Sequence, residues 1–99
     1  MNILSNHTTQ IKSLCETHNV KSLYAFGSVL TQDFNEKSDI DLIVDFFPLD
    51  VLEYGDNYYE LKFSLENILN RPIDLLEEKA LKNPYFKKNI INQRQLIYG

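Results

Sequence analysis

Between Phe26 and Phe46 the chain reads Phe-Gly-Ser, ten further residues, then Asp-Ile-Asp-Leu-Ile-Val-Asp-Phe, and few folds accommodate that order. The apolar run Leu23-Tyr24-Ala25-Phe26 has the make-up of a strand, closed by Gly27 and Ser28. A second strand opens at Asp39, with Ile40, Leu42, Val44 and Phe46 alternating with the acids. Side chains two apart on a strand project from one face, so Asp39 and Asp41 stand side by side at an edge of the sheet. Ionised carboxylates that close repel each other. A divalent cation relieves the repulsion, and hard oxygen ligands favour magnesium or manganese over zinc.

Gly27 and Ser28 supply the complementary half. Glycine after a strand lets the backbone turn sharply and approach a ligand. Ser28 then starts a short helix, expected over about Val29 to Gln32, whose hydroxyl and free amides suit a phosphate. A phosphate cradle beside a metal-holding pair points to chemistry on a nucleoside triphosphate. An Asp-x-Asp pair by itself is more often a solvated strand entrance, and the Gly-Ser upstream is what shifts the balance. An EF-hand loop does not fit, because Leu-Ile-Val follows where a glycine and a glutamate are needed. A Walker A loop is also excluded, since no Gly-Lys-Ser/Thr is present.

Gly27-Ser28, ten residues and Asp39-Ile40-Asp41 resemble the signature of the nucleotidyltransferase superfamily that includes the polymerase-beta palm, and its minimal nucleotidyltransferase (MNT) branch in particular. In that branch a third carboxylate follows in an Arg-Pro-Val-Asp-Leu-like context, which Arg71-Pro72-Ile73-Asp74-Leu75-Leu76 matches. Leu81 to Phe86 resembles the family's closing segment, so the likeness covers nearly the whole chain. It implies an α/β nucleotidyltransferase fold, with a mixed sheet of three or four strands and helices largely on one face. It implies two Mg2+ ions on Asp39, Asp41 and Asp74, with ATP as substrate and its terminal phosphates held at Gly27 and Ser28. Asp74 would lie near the attacking hydroxyl. The partner implied is a HEPN-family toxin, whose tyrosine hydroxyl this chain, as antitoxin, would adenylylate. Two other readings stay open: an antitoxin that acts by binding alone, and a transferase acting on a small alcohol. The chain departs from many relatives in lacking an arginine just after Gly-Ser, where Val29, Leu30, Thr31 and Gln32 stand. Lys37 and Arg71 are then the nearest candidate cations for the triphosphate.

With 99 residues the chain is expected to form one domain, spanning 1–99, with one core. A net charge of −4 argues against an enzyme gripping a long nucleic-acid template. No apolar run reaches membrane-spanning length and the polar N-terminus is no signal peptide. The single Cys15 excludes an internal disulfide and fits a reducing cytoplasm.

Periodicity predicts a helix from about Asn6 to Asn19, with Ile11, Leu14, Cys15 and His18 on one face, then a strand over Val20 to Phe26. Thr31 to Ser38 reads as a polar loop. Phe47 to Gly55 reads as an apolar connection folded over the sheet edge, bounded by breakers. A helix capped by Asp56 should run to about Asn70, burying Tyr58, Leu61, Leu65, Ile68 and Leu69. Ile73 to Leu76 is a short strand and Glu77 to Leu81 a helical turn. A last helix starts at Asn83-Pro84 with Phe86, Ile90, Ile91 and Ile97 as its stripe. Asp45 is expected at the surface or rim, and Tyr58, Tyr59 and Tyr85 in packing rather than base stacking.

Overall fold

A computed structural model describes residues 2–32, 34, 35 and 37–99. The loop acids Asp33 and Glu36 therefore lie outside the described residues. The elements run α1 (Asn2–Ser5), α2 (Thr8–Thr17), β1 (Val20–Phe26), β2 (Ile40–Phe46), α3 (Val51–Leu69), β3 (Ile73–Glu77), α4 (Pro84–Gln93) and β4 (Gln95–Tyr98). The four strands form one mixed sheet in the order β3-β2-β1-β4. β2 is antiparallel to β1 and parallel to β3, and β4 is antiparallel to β1.

The position of β2 explains its composition. A strand with neighbours on both sides is covered on both faces, and Leu42, Ile43 and Val44 are all buried. Strict alternation would have left Ile43 beside the acids; burial on the second face removes it from water. The main core lies on the other face. There Ile40, Leu42, Val44 and Phe46 meet Ile11 and Cys15 of α2 and Leu61, Leu65 and Leu69 of α3. The four-residue spacing of those leucines is the stripe one helix face requires. As expected, the helices gather largely on this side; Ile43 and Ile90 are buried outside the cluster. Burial pushes the Cys15 thiol up to about 12, so it is an inert core residue.

The helix boundaries depart from the sequence expectation in physically simple ways. The first helical region is split, α1 preceding an α2 that is shorter than Asn6 to Asn19. Asn19 then takes φ 60, a left-handed conformation asparagine tolerates. The turn is tied to α3 by Asn57, whose amide donates to the His18 carbonyl at 2.8 Å. α3 begins at Val51 instead of Asp56, so the connection is only 47–50, from which Leu49 packs against the main core. Val51 and Leu52, 90% and 93% exposed, form the solvated first turn of α3. Gly55 acts as a helical residue instead of a breaker.

At the other end, α4 stops at Gln93 and Ile97 belongs to β4. A four-residue strand starting with glutamine carries almost no local signal, and β1, more than seventy positions upstream by the pairing of Leu23 with Tyr98, is what makes it a strand. Asn83 caps α4 as its composition indicates, its side chain accepting from the Tyr85 and Phe86 amides at 3.0 and 3.2 Å. No helix among the described residues is long and apolar enough to cross a membrane.

A Cβ at Gly55 would meet nothing within 4 Å. Gly55→Ala is therefore expected to stabilise the protein by about 0.5–1 kcal/mol through helix propensity, read from urea unfolding midpoints. A loop at this position would show no such gain.

Candidate active site

Three strand ends build the site. β1 delivers Gly27, whose φ of +75° turns the chain sharply after Phe26. Phe26 is the register partner of Asp41 on β2, and Asp41 is the partner of Asp74 on β3. Paired residues on adjacent strands stand about 5 Å apart with side chains on one face, so Asp41 and Asp74 are neighbours on the face away from the main core. The turn at Gly27 is pressed onto the first of them. A Cβ there would lie 2.7 Å from Asp41 Oδ2, closer than any side chain tolerates. Glycine is thus required at this position both by the backbone angle and by the carboxylate beneath it.

Asp39 precedes β2 and is exposed, as is Asp74, while Asp41 is half-buried. The Asp41 carboxyl is held above the usual carboxylate range, first by burial and then by the charges of Asp74 and Asp39. Asp41 therefore feels the charge of both other acids. Among the described residues, no three metal-type side chains converge on a single point as they stand. Asp39 and Asp74 are exposed, and an all-carboxylate donor set suits a hard cation. The residues thus fit magnesium in chemistry.

Ser28 sits in a four-residue 3-10 turn, Gly27–Leu30, which replaces the expected helix over Val29 to Gln32. Its carbonyl accepts from Thr31 twice, from the amide and the hydroxyl, both at 2.9 Å. Its own hydroxyl makes no hydrogen bond among the described residues. Lys37 is exposed on the following loop, and Arg71 points into that loop, its guanidinium donating to the carbonyls of Asn35 and Ser38. Neither candidate cation is directed at the Gly27 turn by a contact of its own.

Sequence reasoning missed a polar cluster farther along the same face. Asp45, expected at the rim, is largely buried, with a side chain 13% exposed and an Oδ1 that makes no hydrogen bond. Lys79 Nζ lies 3.7 Å from it, an ion pair too long for a hydrogen bond. Arg94 stacks over Tyr24 at 3.7 Å and pairs with Glu78 at 2.6 Å. The in-phase spacing of Asp45 with Asp41 was the only local sign of this. The tyrosines of α3 have structural partners: the Tyr54 hydroxyl donates to Glu77 and that of Tyr58 to the Leu75 carbonyl, binding α3 to the edge strand β3. A groove of about 400 Å³ opens between them, lined by Tyr54, Tyr58, Tyr59, Leu75, Leu76 and Ala80 among others.

The glycine-serine turn packed on Asp41, with Asp74 beside it on a mixed sheet, sits in a nucleotidyltransferase fold. The family model described as polymerase beta, nucleotidyltransferase matches residues 9–99. The chain belongs to this nucleotidyltransferase family. A candidate protein adenylyltransferase of Methanocaldococcus jannaschii is 41% identical over 88 residues, covering 88% of this chain and 84% of that protein. A solved minimal nucleotidyltransferase structure superposes with a TM-score of 0.76 at 28% identity, covering 93% of this chain and 90% of the other. The fold is shared as well with the MNT antitoxin in a solved complex with the tri-AMPylated HEPN toxin of Shewanella oneidensis. There the TM-score is 0.66 at 20% identity, covering 97% of this chain and 72% of that one.

The raised Asp41 carboxyl has a thermodynamic consequence. The folded state keeps that proton to higher pH than the unfolded chain does, so its contribution to stability is lost as pH rises through the raised value. Asp41→Asn is expected to raise the melting temperature by a few degrees (about 0.5–1 kcal/mol) in metal-free neutral buffer. The gain should shrink towards zero below the ordinary carboxylate range, as scanning calorimetry across pH would show. Gly27→Ala should instead cost about 1–3 kcal/mol from the strained angle alone, measured by chemical unfolding.

Proposed function

We propose that this chain is a cytoplasmic, magnesium-dependent adenylyltransferase, the antitoxin of a HEPN/MNT pair, which transfers AMP from ATP to a tyrosine hydroxyl of its HEPN-family toxin. The observation that carries this reading is the row formed by Gly27, Asp41 and Asp74 across three strands. The relatives' names support protein as the acceptor. In this reading residues 1–99 act as one minimal nucleotidyltransferase domain.

Asp39, Asp41 and Asp74 would hold two Mg2+ ions, which when bound supply charge neutralisation for the triphosphate oxygens. Gly27 lets the turn approach the nucleotide without a side chain intervening. Ser28 donates its hydroxyl to the terminal phosphates. Asp74, on the edge strand β3 and exposed, accepts the proton of the incoming hydroxyl. The acceptor oxygen bonds to the α-phosphorus, the bridge to the β-phosphate breaks, and pyrophosphate leaves. The protein does no covalent chemistry of its own; positioning and charge do the work.

The test is to incubate the chain and its HEPN-family partner with magnesium and ATP and take intact masses of both. The expected result is one or more adenylyl units on the partner, abolished by Asp39→Asn. A stable complex with no mass change would favour neutralisation by binding alone, and turnover of a free alcohol without the partner would favour the small-acceptor reading.

A further inference from the structure

Arg71 is one of the two candidate cations for the triphosphate, yet its guanidinium is engaged elsewhere. Nη1 donates to the Asn35 carbonyl at 2.6 Å and to the Ser38 carbonyl at 3.1 Å. The guanidinium carbon lies 4.8 Å over the Phe34 ring, and Phe34 packs on the main core. Both acceptors belong to the stretch that joins the Gly27 turn to Asp39.

The bonds bracket one residue. Ser38 precedes Asp39, and its carbonyl is held by Arg71. Ile40 follows Asp39, and its amide donates to the Pro72 carbonyl at 3.0 Å. Asp39 is thus tied on both sides to the two-residue turn that leads into β3 and Asp74. That turn is itself fixed. Asn70 closes α3 in the left-handed conformation at φ 53, Pro72 restricts the chain, and the Ile73 amide donates to Glu66 Oε2 at 3.0 Å.

We propose that Arg71 is a positioning residue, which holds exposed Asp39 at a set distance from Asp74 by clamping the loop before it. The inference rests on the reading that these acids serve the nucleotide site. The planar guanidinium reaches two carbonyls through Nη1 while its face covers the Phe34 ring, and charge-assisted bonds are the stronger kind. Without the clamp, the ties from this loop to the β3 turn would fall to the Ile40 bond, while the bonds within the loop, such as the Ser38 amide to the Asn35 carbonyl, would not fix it to β3. Each nucleotide-binding event would then have to order that loop, at a cost in affinity.

The experiment compares the parent chain with Arg71→Ala, Arg71→Lys and Asp39→Asn. Two readouts are taken: amide hydrogen exchange without ligand, and calorimetric affinity for ATP with magnesium and with EDTA. The expected result for Arg71→Ala is faster exchange confined to residues 34–40. Its magnesium-ATP affinity should fall about tenfold, the scale of losing charged hydrogen bonds, while its affinity for ATP in EDTA is unchanged. Arg71→Lys keeps the charge but not the fork and should recover little of either. If Lys restores binding while residues of the loop still exchange as fast as in Arg71→Ala, Arg71 contacts the triphosphate directly and the positioning role is overturned. Parent-like affinity in Arg71→Ala overturns it as well. If the parent chain takes up no magnesium-ATP and Asp39→Asn is indistinguishable from it, the site reading itself fails and carries this role down with it. Should Arg71→Ala not fold, Arg71→Lys and Phe34→Leu carry the same comparison.

Discussion

Asp41 and Asp74 face the same side of the sheet because β2 and β3 run parallel, with these two residues as register partners. Every feature of the site follows from that pairing. It sets one carboxylate beside another, and the antiparallel pairing on β2's other side lowers the Gly27 turn onto the first. A slip of one residue in either register would turn an aspartate into the core and an isoleucine or leucine out to water. The hydrophobic side of β2 therefore enforces the geometry of its acidic side.

Confining the acids has an electrostatic cost, visible in the raised carboxyl of Asp41. The surrounding fold offsets it with a core that is closed around Ile40, Leu42 and Val44, each fully buried. The strands cannot separate to relieve the repulsion without exposing that core. Strain of this kind is common where a site awaits a charged ligand, because the ligand's binding recovers it. The loop to Asp39 is the softer part, and the ties from the Arg71-Pro72 turn are what join it to the rigid part.

The far half of the same face is organised differently. Arg94 on Tyr24, with Glu78 as partner, spans from β1 towards the end of β3. Lys79 approaches the buried Asp45 nearby. These opposite charges meet in pairs, whereas no ion pair joins the acids at the strand entrances to a cation among the described residues. The sheet therefore presents one end where charges of opposite sign are paired and one where carboxylates are neighbours.

Much of this was legible in the sequence. The alternation in Ile40–Phe46, the glycine-serine turn and the Arg71-Pro72-Ile73-Asp74 context are local patterns, and local patterns determine strand faces and turn positions by sterics and periodicity alone. The family likeness followed from them. What the sequence did not determine was which elements become neighbours. β4 is a strand because β1 offers an open edge, α3 starts early because its exposed first turn needs no core, and the Asp45 side chain is largely covered because β2 lies inside the sheet. Arg71 reads as a free surface cation until the fold brings Ser38 to it. Periodicity acts over a few residues, while burial and pairing act between residues far apart in the chain, and only the closed tertiary structure assigns those.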